Sequence, residues 1–325
     1  MMTARKNLLL FAVLLAALAA ACTLAVLCGA VRVPLREMAD SSIARLRAAR
    51  VLLAAVTGAA LSTSGVIFQA ILRNPLAEPY VLGISSGAGL GEACAIVFGL
   101  HAVGAWTVPG MAFAGALGTI LVVYALARTA AGGVPAQTLL LSGAIVHAVL
   151  GSLLMFLVSV APSEDLHNVV WWLLGNLQVL DWQLLRVVAL VVVVGLAMAF
   201  LLARDLNLLA LGEEPAAHLG LHVERTMQVF FLLASLVTGA TVAACGLIGF
   251  VGLIVPHTVR LMIGPDHRRL VPAAALSGAA FLVLADTFAR TVMAPLEIPI
   301  GVITAMLGGP FFLFLLKRRT FAFRS

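Results

Sequence analysis

The sequence predicts an all-α integral membrane protein of about ten transmembrane helices, arranged as two inverted-topology halves of five. Three observations carry that prediction. Of the 325 residues, 62% are hydrophobic and only 10% charged, with a mean hydropathy of +1.12. Such a chain has more apolar surface than one water-facing core can bury and too few charges to cover it. Apolar runs near the roughly 20 residues needed to cross the hydrocarbon core recur along the whole length, with no low-complexity segment or long linker between them. A short pattern of small residues also recurs far apart at one fixed offset.

The first run, 8–29, follows Arg5 and Lys6. It is too long for a secretory h-region, and Ala19-Ala20-Ala21-Cys22 lacks the leucine three places before the cysteine that a lipoprotein site would carry, so it reads as a spanning helix. Further runs at 47–72, 81–99, 108–128, 138–160, 185–203, 226–245, 247–263, 272–293 and 299–316 complete ten. They form a single transmembrane domain over 1–325, with a first half of about 1–160 and a second of about 161–325. An even number of spans puts both termini on one side. If that side is the cytoplasm, it collects Arg5, Lys6, Arg73, Arg128, Arg204, Arg225, Arg260, Arg268, Arg269, Lys317, Arg318, Arg319 and Arg324. Outside remain Arg32, Arg36, Arg45, Arg47, Arg50, Arg186 and Arg290, so the positive-inside bias favours this orientation. The basic cluster before the second span sits on the wrong side and needs its own reason. A net charge of +6 is otherwise topological and calls for no nucleic acid.

Between the second and third runs stands QAILRNPLAEPYVLG, Gln69 to Gly83. Pro75 and Pro79 cannot continue a helix, and the backbone groups they free cannot face lipid, so the stretch is buried in protein or lines water. It belongs at a passage or its cytoplasmic mouth. Gly83, Gly87 and Gly91 follow at four-residue spacing and clear one face of the third run for a neighbouring helix backbone. Tight packing accounts for those glycines, though not for Arg73, Asn74 and Glu78. Thr57-Gly58-Ala59, Gly65, Ile67 and Pro75 recur as Thr238-Gly239-Ala240, Gly246, Ile248 and Pro256 at the same offset. Five spans separate the copies, so they cross the membrane in opposite directions, the inverted-repeat arrangement of many transporters.

In Arg204 to Arg225, RDLNLLALGEEPAAHLGLHVER, Pro215 suits a first helical position and Gly220 a helix stop. A short cytoplasmic helix is therefore expected at about 213–220, either as a solvated connector or as a docking element. The cysteines Cys22, Cys28, Cys94 and Cys245 lie in apolar runs without metal-ligand spacing and read as packing residues. Gly83-Ile84-Ser85-Ser86-Gly87 satisfies G-x-S-x-G, but that motif needs a strand-to-helix turn, and here it opens a spanning run. With Lys6 and Lys317 the only lysines, no phosphate-cradling loop exists, so any ATP is hydrolysed by another chain. Among the histidines, His147 alone falls well inside a span. Together with Glu92 it is a candidate for lining a pathway, because an ionisable group at membrane depth carries a functional hypothesis by default. Asp286 and Arg290, one helical turn apart, form an expected intrahelical pair that leaves Arg290 partly available at the outer surface.

Four ordered segments, RNPLAEPYVLGISSGAG, LALGEEPAAHLGL, GLIGFVGLIVPHTVRLMIGPDHRRLVP, and LADTFAR with PLEIPIGVITAMLGGPFF, strongly resemble the FecCD-type permeases of ATP-driven importers for iron chelates, haem and cobalamin. The resemblance covers nearly the whole chain. It implies a bacterial inner-membrane transporter subunit, not an enzyme, carrying no metal or cofactor of its own. Two copies would form the pathway, with two ATPase subunits binding ATP and Mg below and a periplasmic substrate-binding protein above. By the same resemblance Asn74 and Leu76 belong to a cytoplasmic gate, with Gln137 in its second half. Glu213, Glu214, Ala217, Leu219 and Gly220 couple to the ATPase, and Arg47, Arg50 and Arg290 dock the binding protein. Where the family commonly reads RLPR this chain reads RLRAAR, so Arg45 competes with Arg47 and Arg50, and Ala136-Gln137-Thr138 replaces a small polar pair. The alternative class is a secondary-active transporter, which shares inverted repeats and broken helices but needs buried ion-coordinating carboxylates, of which this interior offers few.

Overall fold

With no water in the hydrocarbon core, a spanning backbone must close its own hydrogen bonds, and a helix does so within one segment. In a computed structural model that describes residues 4–29, 42–129, 133–178 and 181–322, the described residues form helices, turns and loops without a strand. The helices are α1 (Ala4–Leu27), α2 (Ser42–Ile71), α3 (Ile84–Val97), α4 (Thr107–Ala127), α5 (Ala136–Val160), α6 (Ser163–Leu173), α7 (Trp182–Leu201), α8 (Ala203–Ala210), α9 (Glu213–His218), α10 (Val223–Cys245), α11 (Val251–Ile263), α12 (His267–Thr291) and α13 (Ile300–Ala322). Among these, α1, α2, α4, α5, α7, α10 and α12 are long and apolar enough to cross a membrane. Helices α3 and α11, and residues 300–313 of α13, are apolar but shorter. Every run expected from the sequence thus has its helix. Arg32, Arg36 and Arg324 lie outside the described residues.

Helix α2 is the axis of the core, buried along most of its length. Glycine pairs let two neighbours reach its backbone. A Cβ on Gly58 would stand 2.1 Å from the Gly278 carbonyl oxygen of α12, and one on Gly65 only 1.9 Å from the Gly252 carbonyl oxygen of α11. Ser62 donates to the Ala274 carbonyl of α12, and Ser64 to the Ala234 carbonyl of a third neighbour, α10. Thr57 meets Cys245 while Ser64 meets Ala234, so numbering rises along α2 as it falls along α10 and the two helices are antiparallel. The two proline positions of the repeat differ locally: Pro75 sits in the break after α2, whereas Pro256 lies inside α11. Helix α4 approaches α3 over Gly87 and Gly91, as the four-residue glycine spacing requires, while Gly83 faces α5. By contrast α1, α5 and α7 leave broad apolar faces exposed, including Leu8, Val13, Leu141, Ile145, Val149, Leu190 and Val193. Surfaces of that extent mark contact with lipid or with another chain.

Candidate functional site

The break after α2 is built around hydrogen bonds that its polar residues supply. Arg73 N–H donates to the Ala70 carbonyl (3.2 Å) and Asn74 N–H to that of Gln69 (3.2 Å), the paired bonds of a Schellman helix stop. Arg73 occupies its left-handed position, φ +46°. Asn74 Oδ1 accepts from Leu76 N–H (3.0 Å), closing an Asx turn that leaves Asn74 and Leu76 half-buried. A 3-10 turn over Pro79–Leu82 then leads into α3.

A second break, residues 246–250 between α10 and α11, has Phe250 in the left-handed region at φ +67°. Its backbone donors, left free by the end of α10, are met by the first break: Tyr80 Oη accepts from Ile248 N–H (2.6 Å), and the buried Glu78 carboxylate from Phe250 N–H. Buried amides without partners would be costly, so Glu78 and Tyr80 are where this segment's hydrogen bonds go. Gln69 extends the seam, donating to Gly252 O (3.3 Å) and accepting from Arg260 (2.8 Å). Gln137 is exposed at the start of α5, which meets the 3-10 turn six residues on, at Gly143.

His147 is exposed on α5, and its Nδ1 is hydrogen-bonded to Ser86 Oγ on α3. Ser85, the serine of the G-x-S-x-G match, stands in the first turn of α3 rather than on a strand-to-helix elbow. Glu92 is fully buried in α3, and both carboxylate oxygens lack a partner. Among the described residues no group of three or more His, Cys, Asp or Glu could hold a metal ion.

Helix α9 begins at Glu213, two residues before the proline expected to open it, and Gly220 lies just past its end at φ +85°. Ala216 is its buried anchor, while Glu213, Glu214, Ala217, Leu219 and Gly220 are exposed. Leu211 and Leu219, 62% and 60% exposed, flank it as apolar knobs. Helix α8, a short amphipathic helix just before it, buries Leu206 and Leu209. Asn207 of α8 donates to Asp266 (2.9 Å) and accepts from His267 N–H (2.8 Å). Partial burial disfavours the Asp266 carboxylate, yet Asn207, the Arg268 N–H and the Arg269 and Arg268 charges outweigh it and hold the group below its ordinary value.

At the other end of α2 the basic residues turn inward. Arg50 donates to Asp286 through Nε and Nη2 (2.8–3.1 Å) and to Glu297 through Nη1 (2.8 Å). Arg290 lies 3.5 Å from Asp286 and donates to Ala25 O, and Arg47 donates to Val26 O and Leu27 O (3.1 and 3.2 Å). The expected Asp286–Arg290 pair is present, but Arg290 is only 3% exposed and Asp286 1%, which corrects the expectation that Arg290 is open to the outside. Sequence spacing hid the reason: Arg50, 236 residues away, is the main partner of Asp286. Arg45 is exposed and Arg47 buried.

Interrupted helices whose backbone donors are capped from the other half of the chain, inside a shell of lipid-length apolar helices, define a multi-pass membrane protein of the transporter type. A model of the FecCD transport family matches residues 7–318, and the chain belongs to that family. It is 46% identical over 283 residues to the cobalamin import system permease protein BtuC of Halobacterium salinarum, covering 87% of this chain and 75% of that one. It is 42% identical over 284 residues to the hemin transport system permease protein HmuU of Yersinia pestis, covering 84% and 82%. Among solved structures it is similar to a metal-chelate type ABC transporter in an inward-facing conformation, with a TM-score of 0.87, 29% identity, and coverage of 96% of this chain and 99% of that one.

Proposed function

We propose that the chain is the transmembrane permease subunit of an ATP-binding-cassette importer that carries a metal chelate of the cobalamin, haem or iron-siderophore class into the cytoplasm by alternating access. The observation that carries this reading is α9: a six-residue helix with a buried alanine anchor and exposed Leu211, Ala217 and Leu219, placed between the amphipathic α8 and the apolar α10. Exposed leucines on a short polar connector outside the spans are costly in water and suit the groove of a partner. The names of its relatives support the choice of cargo class. In this reading ten helices cross a bacterial inner membrane as two inverted halves of five, with both termini cytoplasmic. Two copies form the pathway, two ATPase subunits supply ATP and Mg chemistry, and a periplasmic binding protein delivers the cargo.

Asn74 and Leu76, with Gln137 opposite, close the cytoplasmic mouth. The docking end is the one where Arg45 is exposed and Arg50 is held by Glu297, with Arg47 and Arg290 buried within the chain. His147 and Glu92 are the pathway candidates. His147 is exposed on the chain alone, and an imidazole at membrane depth faces a water-filled passage or a second chain in preference to lipid. One observation favours a gradient-driven carrier instead: Glu92, a buried carboxyl without a partner.

The test is reconstitution with the ATPase and the binding protein, measuring uptake of cyanocobalamin and of hemin with and without ATP. Glu214→Arg with Ala217→Trp is expected to reduce ATPase co-purification while leaving membrane insertion intact. Uptake that follows an ion gradient and ignores ATP would establish the second reading.

A further inference from the structure

The gate loop and α9 come from opposite halves of the chain, yet they touch. Arg73 Nη2 lies 3.4 Å from Glu213 Oε1, across 140 residues of sequence, with both side chains about half exposed. Gly212, which precedes α9, is also close: a Cβ there would meet Arg73 Nη1 at 3.5 Å. Arg73 itself stands where a helix stop favours glycine, in a left-handed conformation that a Cβ makes unfavourable. An arginine kept at a position that glycine fills better has a task for its side chain. The loop is otherwise anchored on one side only. Glu78 and Tyr80 pin its far end to the α10–α11 break through buried bonds, while residues 73–76 hold to the rest of the chain through the Schellman bonds and this one ion pair.

We infer that the Arg73–Glu213 ion pair is the link by which movement of α9 biases the gate loop, so that Arg73 is a positioning residue for nucleotide-dependent gating. The inference rests on the reading of α9 as the ATPase contact. Displacement of α9 pulls or releases the near end of the loop, carrying Asn74 and Leu76, while the far end stays fixed. An exposed ion pair is weak, so its making or breaking shifts the closed-to-open ratio by roughly two- to fivefold and does not act as an all-or-none latch.

The decisive variant is Arg73→Gly, which removes the charge while placing the favoured residue at the helix stop, so that folding and assembly are preserved. The experiment uses the assembled complex with its ATPase and a chain whose four native cysteines are replaced, carrying Leu76→Cys. Labelling of that cysteine by a membrane-impermeant thiol reagent is followed with and without ATP. In the parent, labelling is expected to depend on nucleotide. In Arg73→Gly that dependence falls two- to fivefold with the ATPase still co-purifying, and the charge exchange Arg73→Glu/Glu213→Arg recovers more of it than Arg73→Glu alone. A parent whose labelling ignores nucleotide overturns the gate reading and this inference with it. A responsive parent with an equally responsive Arg73→Gly overturns the inference alone.

Discussion

Replacing Asp286 with alanine removes the anion between Arg50 and Arg290, and its cost can be worked from the contacts it makes. Asp286 is almost completely buried and accepts three hydrogen bonds from Arg50, with Arg290 3.5 Å away. Removing one partner of a buried ion pair costs about 3–5 kcal/mol, because the surviving charge keeps its desolvation without its counterion. Arg50 retains Glu297, which moves the expectation to the lower end, ~3 kcal/mol. For a chain of 325 residues that corresponds to a fall of roughly 4–5 °C in the apparent midpoint of thermal unfolding in detergent. Glu297→Gln is the internal control. That carboxylate is one-third exposed and accepts a single hydrogen bond from Arg50, so its removal is expected to cost about 0–1 kcal/mol. The assay is a thermal melt of the purified chain, followed by accessibility of the buried Cys245 thiol. If Asp286→Ala melts within about 2 °C of the parent, the network does not hold α1, α2 and α12 together, and the burial of Arg290 has been misread.

Gly65→Ala is expected to destabilise by ~3 kcal/mol, since its Cβ would lie 1.9 Å from a backbone oxygen that cannot rotate away, and the added volume forces α2 and α11 apart; Gly110→Ala, with open space around it, should leave the melt unchanged. His147→Leu separates a passage from a lipid face: a residue lining the passage gives a stable, assembled complex with reduced transport, whereas a lipid-facing one gives a more stable chain with normal transport, and the second result removes His147 from the pathway.

The helices were legible because membrane depth imposes a length and a polarity that the chain displays directly, from 8–29 onward. What the composition concealed were helices whose signal is amphipathic rather than apolar. Helix α6, SEDLHNVVWWL, follows Pro162 and carries Glu164 and Asp165 in its first turn, a start signal that could have been read. The polar residues of QAILRNPLAEPYVLG were legible as exceptions that demanded burial. Their partners were not, because Ile248, Phe250 and Glu213 lie 140 to 172 residues away. The same distance explains Arg290: local spacing pointed to Asp286, but only the tertiary crossing of α2 over α12 brings Arg50 to that carboxylate and closes the site to solvent.

The caps that Glu78 and Tyr80 place on the α10–α11 break bear on how the chain is made. The second half contains two amide donors that no residue near them in sequence satisfies, and their acceptors belong to a loop synthesised some 170 residues earlier. A ribosome delivers that loop first, so the acceptors have already been made when residues 246–250 arrive. Reversing the order of synthesis, by circular permutation that starts translation in the second half, would leave those donors without their acceptors until the first half was made. Neither break can therefore close its hydrogen bonds until both have been made, and the seam is completed late in synthesis.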